Sequence, residues 1–120
     1  MAGMTRATKA PTGRGKGEAM KHWMLDEKGE PKRAEDIIEW ARWLERNQDA
    51  RRVAFDEIGD VHVSTVFLSI DHAFTGGPPV LWETMVFGGP RDEEQERYTS
   101  RADAVAGHAR MVARVRASTN

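Results

Sequence analysis

The sequence predicts an α+β domain, a three-stranded antiparallel meander packed with an N-terminal and a C-terminal helix. Three observations point there. Residues 51–88 contain three runs rich in β-branched and aromatic residues, broken by Gly, Asp and Pro. Apolar residues recur at helical spacing before that region and again after it. Charged residues at 31% beside hydrophobic residues at 39% make a globular composition in a chain of 120 residues, which bounds it to one domain.

Residues 1–19 carry Arg6, Lys9, Arg14 and Lys16 against the single acid Glu18, with no aromatic or β-branched aliphatic residue to bury. Such a segment cannot offset its ordering entropy, so it reads as a disordered basic tail, and the domain as residues 20–120. Trp23, Met24 and Leu25 suit a short extended piece, followed by turn chemistry at Glu27-Lys28-Gly29. Over 34–48, Ile37, Trp40, Ala41 and Leu44 fall on one helix face, with Glu35 and Asp36 in the first turn and Arg46 in the last. Strands are expected at 51–58, 61–71 and 79–88, with Gly59-Asp60 turning the first into the second. The connection His72-Ala-Phe-Thr-Gly-Gly-Pro-Pro79 exceeds what a tight hairpin needs, and such loops often carry binding residues. Residues 89–98 read as an acidic loop. The last helix spans 99–118, with Ser100 and Asp103 at capping-box spacing and a stripe of Val105, His108, Val112 and Val115. Gly107 in mid-helix costs about 1 kcal/mol against Ala, which close approach to the sheet would explain.

Alternation puts Val61, Val63, Thr65, Phe67 and Ser69 on one face, and His62, Ser64, Val66, Leu68 and Ile70 on the other. Neither face is plainly polar. Two apolar faces need cover, so a homodimer is the expected assembly, with one helix on each face as the alternative.

Composition excludes several functions. A net charge of −1 gives no general pull toward nucleic acid or membrane. No cysteine is present, so disulfides, thiolate metal sites and a Cys nucleophile are out. No apolar run is long enough to span a bilayer and no secretory signal is legible, which points to the cytoplasm. The ionisable residues around the long loop are His62, Asp71, His72 and Glu83, joined by His108 on the last helix. These are types that a metal or general acid/base site uses, yet their spacing matches no ligand signature, and neither a metal nor a cofactor is expected. Glu83, inside the most apolar strand, must be paired or face outward. Arg51, Arg52, Arg97 and Arg110 are possible partners.

The segments VSTVFLSIDHAF, PPVLWETMVFGG and ERYTSRADAVAGHARMV, with DEKGEP and EWARWL, resemble a family of small proteins encoded by phages of actinobacteria and by related prophages. The resemblance covers residues 22–115, and at one position where members carry Gly this chain has Ser69. It implies a phage accessory protein and brings no activity or ligand with it. Its polar members Asp71, His72, Glu83, Thr84 and His108 are the candidate ligand-binding residues. The expected function is non-enzymatic binding of a host protein or a small signalling ligand. One alternative is a hydrolase or metal-dependent enzyme using Asp71, His72, Glu83 and His108, and another is nucleic-acid binding through the tail.

Overall fold

A computed structural model describes residues 21–73 and 76–119, so the tail at 1–19 lies outside the described residues. Among the described residues the chain is α+β, with a two-stranded and a four-stranded antiparallel sheet and two α-helices. It packs as two compact units, 21–47 with 69–71, and 48–68 with 72–119.

In the first unit, β1 (Trp23–Leu25) pairs antiparallel with β2 (Pro31–Arg33) and α1 follows over Ile37–Arg46. The Asp26 carboxylate makes the hairpin turn, accepting from the Lys28 and Glu30 amides at 2.8 and 2.9 Å. These bonds, that from Glu30 foremost, hold the Asp26 carboxyl below its ordinary range. Asp36 is the N-cap of α1 and accepts from the Glu39 amide at 2.8 Å, while Glu39 reaches back to the Glu35 amide at 3.2 Å. That reciprocal cap starts the helix later than expected from 34–48, since a capping residue takes an extended backbone. The Ser69 carbonyl closes the unit by accepting from the Trp23 amide at 2.8 Å and the Trp40 indole at 3.1 Å.

The second unit corrects the expected three-stranded meander to four strands. β3 (Arg52–Ile58), β4 (Val61–Phe67), β5 (Trp82–Phe87) and β6 (Gln95–Tyr98) lie in chain order, each antiparallel to the next. β6 forms in what reads as an acidic loop. It is an edge strand whose backbone pairs with β5 while only Tyr98 brings a large side chain to the core. The expected strand at 61–71 stops short of Ser69, which takes φ 70°, a conformation no strand continues through, and that expected at 79–88 narrows to Trp82–Phe87. The arms of the long connection stay tied by Leu68 N–H to the Leu81 carbonyl at 2.7 Å and His72 N–H to the Val80 carbonyl at 3.0 Å.

Helix α2 (Arg101–Thr119) covers one face of this sheet. Ser100 caps it, accepting from the Asp103 amide at 3.0 Å. Val61, Val63, Val86, Met111, Val112 and Val115 form the core, with Ile58 against it. The buried stripe includes Ala104 in place of the expected Val105, which is 48% exposed. Small residues face the sheet because Tyr98 stands close beneath, and a Cβ on Gly107 would overlap its Oη, Cε1 and Cζ atoms. Residues Val61, Val63, Thr65 and Phe67 are buried, whereas His62, Ser64 and Val66 on the opposite face are only half-buried.

Candidate functional site

The register of β4 against β5 sets Thr65 opposite Thr84, both wholly buried on the face under α2. Their hydroxyl oxygens lie 2.5 Å apart. One turn of α2 beyond Ala104, His108 brings Nδ1 to 2.8 Å from Thr65 Oγ1 and Nε2 to 2.7 Å from Asp56 Oδ2. On the other side, Tyr98 Oη stands 2.9 Å from Thr84 Oγ1 and 3.1 Å from Glu96 Oε1. A continuous polar chain therefore crosses the layer between helix and sheet. Asp56 lies at one half-exposed end, and Glu96 at the other is joined by Arg110 at 3.3 Å and Arg114 at 3.5 Å. Burial pushes the Tyr98 phenol above its ordinary value of 10.0, and the Glu96 carboxylate adds to the rise.

Asp56, His108 and Thr65 reproduce the carboxylate–imidazole–hydroxyl order that activates a nucleophile. The order alone does not make an active site. Thr65 and Thr84 have no exposed surface and His108 is buried, so no substrate reaches either hydroxyl. What the chain does is satisfy four buried polar side chains, His108, Thr65, Thr84 and Tyr98, inside a core that would otherwise leave them costly.

No family model, curated protein or solved structure matches this chain.

Of the sequence candidates, Thr84 and His108 come together in this chain through Thr65. Glu83, one residue along β5, points to the opposite face and accepts from Arg97 Nε at 2.9 Å, a cross-strand pair set by their register. Arg51, another of its possible partners, instead donates from Nε to the Phe67 carbonyl at 3.1 Å. His62 stands 3.2 Å from Glu57 on that same outer face. Asp71 and His72 fall in different units. The Asp71 amide donates to the Lys21 carbonyl at 2.9 Å, and both side chains are half-buried. Among the described residues no three His, Asp or Glu gather as a metal would need, and no helix is long and apolar enough to cross a membrane.

Sequence reading missed Asp56, Thr65, Glu96 and Tyr98. A signal existed for the two threonines, since alternation already placed each hydroxyl between apolar residues of a buried face. Nothing local marks Asp56, because its partner is 52 residues away.

Among the described residues, two surfaces stand open. The outer sheet face carries Phe55 and Phe87, 39% and 47% exposed, with Arg52 stacked over Phe55 at 4.9 Å. In the first unit, Ile37, Ile38 and Trp43 line a groove of about 1490 Å³ between the hairpin and α1, rimmed by acids and bases together.

Proposed function

We propose that this protein is a non-enzymatic binding protein encoded by a phage, working in the host cytoplasm, and that it assembles as a homodimer through the outer face of its four-stranded sheet. Its target in this reading is a host protein or a small signalling ligand. The observation that carries the proposal is the exposure of Phe55 and Phe87 on the face turned away from α2. Large aromatics left open on one sheet face are the usual mark of an interaction surface. Arg52, Glu57, Glu83 and Arg97 surround them with both signs of charge, so a second copy meets opposite charges on the same face.

The phage setting rests on the composite sequence pattern. The backbone at Ser69 supports it from another direction, since φ 70° is a conformation glycine adopts freely and members of that family carry Gly there.

The competing enzymatic reading would use Asp71, His72, Glu83 and His108. It is disfavoured by the burial of His108 and by the engagement of Glu83 with Arg97 on the other side of the sheet. Native mass spectrometry of the purified protein tests the proposal, because it reads subunit count and any retained ligand together. A two-subunit mass that Phe87→Glu halves supports it. A single subunit at every concentration, with no partner recovered, removes it.

A further inference from the structure

The polar chain beneath α2 imposes a proton count that no single residue in it reveals. Its five contacts run in line, Asp56 to His108, His108 to Thr65, Thr65 to Thr84, Thr84 to Tyr98, and Tyr98 to Glu96. Each contact is a hydrogen bond only if one proton lies in it. Both ends are carboxylates, which accept and do not donate. Thr65, Thr84 and Tyr98 each bring one proton, and a neutral imidazole brings one more. A neutral ring therefore leaves the five contacts one proton short.

Directions can be assigned from the Glu96 end. Tyr98 has one proton and must give it to the carboxylate, so it accepts from Thr84. Thr84 then accepts from Thr65, and Thr65 accepts from His108 Nδ1–H. The other ring nitrogen, Nε2, faces the Asp56 carboxylate and needs its own hydrogen. We propose that His108 is held as the doubly protonated imidazolium and that the chain is a proton-dependent latch fastening α2 to the sheet.

The surroundings fit a cation at that point. Asp56 on β3 supplies the counter-charge against Nε2. β4 and β5 present only the Thr65 and Thr84 hydroxyls to the chain, since His62 and Glu83 lie on the outer face. On β6, Tyr98 and Glu96 close the far end, where Glu96 pairs with Arg110 and Arg114 of α2 itself. With a carboxylate at each terminus, the chain cannot reverse to make up for a lost proton. Removing one from His108 sets two lone pairs against each other, at Thr65 or at Asp56, and one of the five contacts opens.

Nitrogen-15 NMR of the histidine ring in the whole protein at neutral pH is the test. The expected spectrum shows both His108 nitrogens protonated. Tyr98→Phe removes two contacts and one proton, leaving three contacts that a neutral ring can fill, so Nδ1 should then move to the position of a bare ring nitrogen. Thr84→Val removes two contacts and one proton in the same way and should give the same shift, which keeps the test usable if one variant folds poorly. A single protonated nitrogen in the unaltered protein overturns the proposal. So does an imidazolium that persists in both variants, because its charge would then owe nothing to the chain.

Discussion

Gly107 and Tyr98 are matched in shape, the absent Cβ of one making room for the ring of the other. Ala at 107 would gain about 1 kcal/mol in helix propensity. It would also drive a methyl group into a buried ring, a type of overpacking that costs about 1–3 kcal/mol or more. Gly107→Ala is therefore expected to lower stability by about 1 kcal/mol in denaturant melts, and the loss should shrink when Tyr98→Ala is added. Ser69 presents the opposite case. It sits at φ 70° with a buried Oγ that has no hydrogen-bond partner among the described residues. A left-handed backbone costs an L-residue about 1–2 kcal/mol, and an unsatisfied hydroxyl adds to that. The entropy cost of Gly offsets only part of this, about 0.5–1 kcal/mol. Ser69→Gly should stabilise the protein by about 1 kcal/mol, seen as a melting temperature higher by about 5 °C.

At the level of elements, the edge strand β6 is fastened to α2 by charge as well as by the buried chain. Glu94, just before β6, accepts from Arg91 at 3.1 Å and from Arg114 at 2.8 Å. The hydrogen bond from Arg91, then that from Arg114, holds its carboxyl below the ordinary 4.5. A carboxyl that resists protonation in the folded state adds stability above pH 4.5 and loses it as the pH falls through the lowered value. Melting temperature should thus fall on acidification below pH 4.5, and Glu94→Gln should flatten that acid limb. Tyr98 works in the other direction. Its phenol is raised above 10.0, so its contribution is complete below pH 10 and is lost as the pH climbs through the raised value. Tyr98→Phe should remove this alkaline limb in circular-dichroism melts.

For the whole molecule, the decisive asymmetry lies between the two sheet faces. One is sealed by α2, while the other leaves Phe55 and Phe87 open. In the proposed homodimer, replacing Phe87 by Glu would set like charges against each other across the symmetric pair, so light scattering should then read one subunit in place of two without loss of the melting transition. The expectation of two apolar faces was half right. The outer face mixes Val66 and Met85 with the Glu83–Arg97 and His62–Glu57 pairs, whose cross-strand pairing strand alternation alone does not reveal. β6 escaped notice because Gln95-Glu96-Arg97-Tyr98 carries no apolar period, and its strand character comes from pairing with β5. The buried chain escaped for a related reason, since its members are drawn from β3, β4, β5, β6 and α2.

The residues by themselves determined the α+β class, the approximate position of both helices, the β3–β4 turn at Gly59, the Ser100 cap and the use of Gly107 for close packing. Those features arise from local propensity, periodicity and backbone freedom, which act over a few neighbours. Only the tertiary structure decided that Asp56 meets His108, that Thr65 meets Thr84, and that Tyr98 links them to Glu96. These contacts depend on strand register and on the height of α2 above the sheet. Both are set by packing across long separations in the chain, where no local pattern records them.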